Sequence, residues 1–160
     1  MNIKLFLSDV DGTLTDGGMY YDGCGNELKK FHTHDGKGFE LLKRKGIKVG
    51  IITSEDTPIV SERAKKLKVD YLYQGIEHKG KLEVAKKICK KESIELQEVA
   101  YIGDDINCQE LLENVGLAAC PNNSQADIKH ILNILQLSRN GGDGAVREFV
   151  NIILDESDNE

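Results

Sequence analysis

The 160-residue sequence lacks the features that would assign it to a membrane or secreted class. It has no apolar run of the roughly 18 residues that a transmembrane helix needs, and it begins with a strand pattern where a signal peptide would lie. The four cysteines form no C-x-x-C pair and show no zinc-site spacing, so we expect free thiols in a reducing compartment. These absences predict a soluble, cytoplasmic protein without a membrane partner.

Positive charge is also scarce, because the 21 Lys and Arg residues are outnumbered by 27 Asp and Glu residues. The net charge of -6 argues against nucleic acid as a partner, since phosphate backbones need a basic surface. An anionic ligand would have to be held by local lysines or by a metal ion. The chain has no internal repeat, low-complexity segment or linker, so residues 1–154 are predicted to form one domain and residues 155–160 an acidic tail.

Short apolar strand patterns alternate with helix patterns along the chain. The strand patterns cover residues 3–7, 47–53, 70–73, 99–102 and 115–120. The helix patterns lie around residues 39–45, 58–67, 82–88, 111–112, 128–135 and 145–154. Strands and helices that alternate at this spacing predict an α/β fold with a doubly wound parallel sheet.

Residues 17–34 fall outside this alternation. Strand patterns at 19–21 and 27–33 enclose a turn-rich segment, which predicts a β-hairpin. The segment is too short for a folded lid domain, so we expect a hairpin flap beside the sheet. An isolated hairpin would expose Met19, Tyr20 and Tyr21; the alternative is that these side chains fold back onto the chain's own core.

Asp9 and Asp11 directly follow the first predicted strand, and Gly12 allows a sharp turn after them. The carboxyl ends of strands in open parallel sheets form the crevice where ligands bind. A carboxylate pair there suits a nucleophile and a general acid/base that share one metal ion. An Asp-Gly turn without chemistry is the structural alternative. An EF-hand calcium loop is excluded, because Leu14 stands where that loop needs glycine.

Polar residues follow two later strands as well. Thr53 ends the second α/β strand, where its hydroxyl could donate to a phosphate oxygen or simply cap the next helix. Asp104 and Asp105 follow Gly103 at the end of strand 99–102, where they could bind magnesium or form an Asx-type turn.

A lysine near the start of the helix pattern at residues 82–88 could neutralise phosphate charge and orient a carboxylate. Lys79 and Lys81 are both candidates, and a solvated surface role is the alternative for either.

The segment D-V-D-G-T-L-T resembles motif I of the haloacid dehalogenase-like phosphohydrolases, and Asp9, Thr53, a lysine and Asp104 follow in that superfamily's order. A receiver domain is the rival doubly wound class, but its phosphoacceptor acid is absent after strand 47–53. The resemblance favours Lys79, because similar proteins carry Y-Q-G-x-x-x-K with this count.

The same resemblance implies an ion of Mg²⁺ held by Asp9, Asp104 and the backbone carbonyl of Asp11. It implies that Asp9 attacks the phosphate to form an aspartyl phosphate, that Asp11 acts as acid and then base, and that Thr53 and Lys79 hold the non-bridging oxygens. One position departs from the pattern. G-D-x-x-x-D would place an acid at position 108, but this chain has Cys108, and sulfur is a poor magnesium ligand. Asp105 and Asn107 are alternatives for a contact through water.

Four further segments, V-D-G-x-L-T-D-G, L-Y-Q-G, V-A-Y-I-G-D-D and G-G-D-G-A-V-R-E, look like the 3-deoxy-octulosonate 8-phosphate phosphatase family, from residue 3 to about 154. The resemblance implies a Rossmann-like fold without a cap domain. It also implies a homotetramer, in which hairpins form a central barrel and neighbours close each other's sites. Arg147 and the glycines of 141–144 are then candidates to contribute from a neighbouring tail.

One local difference bears on the substrate. The octulosonate enzymes usually read I-T-G-R after the second strand, whereas this chain reads I-T-S-E with Glu55. Glu55 and Lys66 resemble the branch that acts on 2-keto-3-deoxynononate 9-phosphate, which is therefore the expected substrate, with the eight-carbon phosphate as the alternative. Lys66 also belongs to a lysine-rich segment that could simply be solvated. A non-catalytic oligomerisation module is the alternative of another class, and the intact motif set counts against it.

Overall fold

The computed structural model describes residues 2–77 and 79–158, with side chains through residue 155. The strands are β1 (Leu5–Ser8), β2 (Tyr20–Tyr21), β3 (Glu27–Leu28), β4 (Lys48–Ile52), β5 (Tyr71–Tyr73), β6 (Val99–Ile102), β7 (Leu117–Cys120) and β8 (Leu135–Gln136). The helices are α1 (Thr33–Arg44), α2 (Pro58–Leu67), α3 (Gly80–Glu92), α4 (Gln109–Leu112), α5 (Ala126–Lys129) and α6 (Ala145–Asp158). Within the described residues, no helix combines the length and the apolar character needed to cross a bilayer.

Six strands form one parallel sheet in the order β5-β4-β1-β6-β7-β8, which confirms the predicted doubly wound sheet. The central strand β1 pairs with β4 and β6, and Ser8 lies beside both Ile51 and Ile102. Because these three strands end at the same level, the residues that follow them emerge at one edge of the sheet.

Helices cover both faces of the sheet, as the continuous apolar strands require. Helices α1, α2 and α6 bury their apolar residues against one face, and α3, α4 and α5 bury theirs against the other. Phe6 of β1 stacks edge-on against Phe39 of α1, with ring centroids 5.5 Å apart, and also contacts Phe149 of α6. Each such fully buried side chain contributes about 1.5–3 kcal/mol, so β1 is fixed between two packed layers.

The predicted helix around residues 128–135 is wrong. Helix α5 ends at Lys129, and the chain then forms β8, which pairs with β7 as the sixth strand of the large sheet. Asn133 has a left-handed backbone with φ 63°, which a continuous helix does not allow. Ile134 and Leu135 pack against opposite faces of the sheet, which is the period of a strand.

The last helix is longer than expected. Its backbone continues to Asp158 and so includes most of the segment predicted as an acidic tail. Residues 159–160 of that predicted tail lie outside the described residues.

The predicted hairpin is present, with strands of two residues each, and Thr33 already begins α1. Its apolar side chains do not fold back onto the core. Met19 is 48% exposed, Tyr21 63% and Leu28 68%. The hairpin therefore forms a flap with an uncovered apolar surface, in place of a cap domain.

The glycine-rich loop at 141–144 packs against the loop that follows β1. The amide of Gly142 donates to the carbonyl of Thr13 at 3.2 Å. A Cβ added to Gly141 would lie 1.9 Å from the carbonyl oxygen of Gly12, so only glycine allows this contact. The loop thus supports the residues after β1 in its own chain.

Replacing Gly141 with alanine tests this packing. We expect G141A to lower the free energy of unfolding by about 1–3 kcal/mol, because backbone must move to admit the methyl group. The control is G23A, since a Cβ at Gly23 would meet no described atom within 4 Å. Urea denaturation of both variants measures the difference; equal stability of G141A and G23A would contradict the close approach.

Candidate active site

A cavity of about 330 Å³ opens at the carboxyl edge of the sheet. Five of the predicted site residues line it, namely Asp9, Asp11, Thr53, Glu55 and Asp104. They come from the loops after β1, β4 and β6, so the parallel sheet brings together residues that are far apart in the sequence. The predicted residues Lys79 and Lys66 lie elsewhere.

Asp9 is held rigidly at the bottom of this cavity. Only 4% of the residue is exposed, and its Oδ1 accepts a hydrogen bond from the amide of Val10 at 2.8 Å. Its Oδ2 lies 2.9 Å from Nζ of Lys81. Among the residues that the structure describes, Lys81 is the one cation that forms an ion pair with this buried carboxylate.

The lysine beside Asp9 is Lys81, whereas the sequence analysis favoured Lys79 for this position. Lys81 is 1% exposed and lies on the buried side of α3. Burial alone would lower the pKa of Lys81, but the Asp9 carboxylate and the contact with Cys108 raise it overall, so Lys81 stays charged.

Lys79 is exposed and precedes α3 with a left-handed backbone, φ 73°. It lines a separate cavity beside Ile106 and Gln109. The motif count therefore selected a lysine two residues too early. The sequence did contain a signal, because Lys81 falls in register with the buried Leu82, Ala85 and Ile88 of the helix.

Asp104 approaches the loop after β1 from β6. A Cβ on Gly12 would lie 2.0 Å from Oδ2 of Asp104, so the absence of a side chain at Gly12 makes room for this carboxylate. Thr13 Oγ1 donates to Oδ1 of Asp104 at 3.4 Å. Burial first, and then the negative charges of Asp9 and Asp105, raise the pKa of Asp104 to about 7.

Asp9, Asp104 and Cys108 each offer one ligand atom, and these atoms lie within 4.8 Å of one another. Two carboxylate oxygens are the hard ligands that Mg²⁺ prefers, and a divalent cation would relieve the repulsion that raises the pKa of Asp104. The donor set therefore fits Mg²⁺ through its oxygens. The carboxylate of Asp11 is not part of this cluster and pairs with Lys29 at 2.7 Å, so a metal contact through the backbone carbonyl of Asp11 stays a prediction.

Cys108 takes a different part in the site. Its thiol donates to Oδ2 of Asp9 at 2.9 Å and lies 3.4 Å from Nζ of Lys81. Burial and the Asp9 charge raise the pKa of Cys108 well above the ordinary thiol range, so it is a neutral donor. Of its neighbours, Asp105 caps the 3-10 turn Ile106–Cys108, and Asn107 donates to Oγ of Ser54 at 2.9 Å.

Thr53 is buried at the end of β4, where its amide donates to the carbonyl of Tyr73 at 2.9 Å. It does not cap α2. The N-cap is Thr57, whose side chain accepts from the amide of Val60. The capping interpretation of Thr53 is therefore wrong, and its hydroxyl is available to the cavity that it lines.

Lys66 is exposed near the carboxyl end of α2, far along the helix from the cavity. It lines a different depression with Lys43, Arg44 and Lys68. Within one chain it does not meet the other predicted site residues.

Lys29 is a residue of the site that the sequence analysis missed. Its Nζ lies 2.7 Å from Oδ1 of Asp11, 3.1 Å from Oε1 of Glu27 and 3.4 Å from Oε2 of Glu55. Burial would lower the pKa of Lys29, but the three carboxylates raise it overall, so it is charged. The available signal was weak: Lys29 shares a strand face with Glu27, while Lys30 beside it points to the other face.

Comparison with known proteins agrees with this geometry. The profile of the haloacid dehalogenase-like hydrolases matches residues 19–120. The 3-deoxy-D-manno-octulosonate 8-phosphate phosphatase KdsC of Escherichia coli K12 is 35% identical over 158 residues, which cover 96% of this chain and 80% of the relative. The Haemophilus influenzae enzyme of the same name is 33% identical and is covered over 83% of its length.

Two solved structures are also similar. The 3-deoxy-D-manno-octulosonate 8-phosphate phosphatase of Moraxella catarrhalis, in complex with magnesium, phosphate and KDO, is 37% identical with a TM-score of 0.91, covering 96% of this chain and 87% of that one. The Yersinia pestis enzyme of the same name is 34% identical with a TM-score of 0.93, covering 98% and 83%. The chain therefore belongs to the haloacid dehalogenase-like hydrolases and, within them, to the 3-deoxy-D-manno-octulosonate 8-phosphate phosphatase family.

The choice between the two lysines is tested by K81M and K79M. We expect K81M to lower the free energy of unfolding by about 3–5 kcal/mol, because it leaves the buried Asp9 without its cation. K79M should change stability by less than about 0.5 kcal/mol, since Lys79 is exposed. Urea denaturation at neutral pH compares the two, and a larger loss in K79M would contradict the pairing.

Proposed function

We propose that this protein is a Mg²⁺-dependent phosphatase that hydrolyses 3-deoxy-octulosonate 8-phosphate through an aspartyl phosphate. The observation that carries the proposal is the buried Asp9, paired with Lys81 and 4.8 Å or less from a ligand atom of Asp104. The relatives named for this activity support the eight-carbon substrate. The nine-carbon substrate expected from Glu55 and Lys66 becomes the second candidate.

Asp9 is the nucleophile in this scheme. Its Oδ1 and Oδ2 are both oriented by hydrogen bonds, so the carboxylate attacks the phosphorus without first having to reorient. The bond from phosphorus to the sugar oxygen breaks as the bond to Asp9 forms. Mg²⁺, bound by Asp9, Asp104 and the Asp11 carbonyl, would neutralise negative charge on the phosphoryl group.

Lys81 and Thr53 hold the non-bridging phosphate oxygens. Lys81 supplies a fixed positive charge beside the attacking carboxylate, which offsets the repulsion between two anions. Thr53 contributes a hydroxyl at the end of the adjacent strand β4, on the wall of the same cavity. Lys81 thus takes the role that the sequence assigned to Lys79.

Asp11 is the general acid and base. Its side chain is 32% exposed and faces the open part of the cavity, where the sugar would lie. It donates a proton to the departing sugar oxygen, and then removes a proton from the water that hydrolyses the aspartyl phosphate.

Glu55 is the residue that supports the nine-carbon substrate, because it lines the same cavity as Asp11. One observation weakens that candidate, because Lys29 lies 3.4 Å from Glu55 and offsets its negative charge. Lys66, the other residue of that hypothesis, would have to reach the cavity from a neighbouring subunit.

A homotetramer is part of the proposal. The hairpin exposes Met19, Tyr20, Tyr21 and Leu28 together, and contiguous apolar surface of this kind favours association. Contacts between hairpins would cover these side chains and bring a second chain toward each cavity.

Phosphate release in the presence of Mg²⁺ tests the function. We expect turnover of the eight-carbon 3-deoxy-octulosonate phosphate to exceed that of 2-keto-3-deoxynononate 9-phosphate and N-acetylneuraminate 9-phosphate by at least about tenfold in kcat/KM, a difference of about 1.4 kcal/mol in transition-state binding. D9N should abolish release from all three, because the nucleophile is removed.

Preference for a nine-carbon substrate would restore the role of Glu55 and reject the eight-carbon proposal. Absence of turnover on every substrate would favour a non-catalytic module.

A further inference from the structure

The hairpin places one charged side chain inside the site. Lys29 lies just after β3, and its side chain is 0% exposed although its neighbours Leu28 and Lys30 are exposed. A lysine side chain loses rotamer freedom and hydration when it is buried, so its position must be compensated. The compensation comes from three carboxylates, of which Asp11 is the nearest, at 2.7 Å.

The contact with Lys29 holds one carboxylate oxygen of Asp11 and leaves the second oxygen for a substrate. Lys29 donates to Oδ1 of Asp11, whereas no side chain or amide in the described ranges 2–77 and 79–158 donates to Oδ2. A carboxyl group anchored through one oxygen presents the second in a defined direction, which is what proton transfer to a leaving group requires. Lys29 supplies the side-chain hydrogen bond that holds this partly exposed carboxylate.

The hairpin itself is anchored on both sides of Lys29. Phe31 forms an isolated antiparallel bridge with Thr15, and the Tyr20 hydroxyl donates to Oδ2 of Asp16 at 3.2 Å. Both anchors attach the hairpin to the loop that carries Asp9 and Asp11. The position of Lys29 is therefore fixed relative to Asp11 by the backbone as well as by charge.

We propose that Lys29 is a positioning residue for the general acid, which orients Asp11 toward the oxygen of the leaving group. The inference rests on the proposed function, because it assigns a role within that reaction. Lys29 does not itself need to contact the phosphate. If Lys29 has this role, its loss should lower activity most on substrates whose leaving group must be protonated.

The test uses two substrates of the intact protein with Mg²⁺. A sugar alkoxide leaves only when it is protonated, whereas the p-nitrophenolate of p-nitrophenyl phosphate leaves as a stable anion. We expect K29M to lower kcat/KM, which covers the steps up to departure of the leaving group, for 3-deoxy-octulosonate 8-phosphate on the order of tenfold to a hundredfold. The loss of kcat/KM for p-nitrophenyl phosphate should be less than about threefold.

Two further variants serve as controls. K29R retains a cationic donor and should recover most of the lost kcat/KM on the sugar phosphate. K30M alters the exposed neighbouring lysine and should behave as the wild type on both substrates. Thermal unfolding of each variant establishes that it is folded, and K29Q replaces K29M in the comparison should K29M not fold.

The outcomes separate this inference from the function on which it rests. Equal losses of kcat/KM on both substrates, or no loss on either, would reject the positioning role while the phosphatase proposal stands. A wild-type protein that releases phosphate from neither substrate would reject both.

Discussion

The structure of the site depends on one buried ion pair, between Asp9 and Lys81. Two charges that leave water are stable only together, since an unpaired buried charge costs several kcal/mol. The pair joins the end of β1 to the first turn of α3, and the thiol of Cys108 donates a hydrogen bond to the same Asp9 oxygen. The other residues of the site are arranged around this carboxylate.

Some carboxylates of the site have a lysine partner and one does not. Lys81 compensates Asp9 from the body of the domain, and Lys29 compensates Asp11 and Glu55 from the hairpin. Among residues 2–77 and 79–158, no cation forms an ion pair with Asp104, and burial together with the charge of Asp9 raises the pKa of Asp104 to about 7. A carboxylate of Asp104 that lies beside Asp9 without a lysine partner is the physical reason to expect a divalent cation between these two residues.

The sequence was sufficient for those features that depend on local patterns and on the geometry of a parallel sheet. Asp9, Thr53 and Asp104 could be placed at one edge because each directly follows an apolar strand. The choice between Lys79 and Lys81 failed because a motif count does not show where α3 begins. Lys29 could not be predicted, since its burial depends on how the hairpin docks. Residues 128–135 were misassigned because a short apolar run is compatible with both a helix and a strand.

The role of Asp9 as a nucleophile can be measured directly by acid quench of the wild-type protein during turnover with Mg²⁺ and the eight-carbon sugar-acid phosphate. Mass spectrometry of the peptide that contains Asp9 should then detect the added mass of one phosphoryl group on that residue. D9N should lack the adduct, and K81M should accumulate far less of it. Turnover with no phosphoryl group on Asp9, or with the group on another residue, would contradict the central claim.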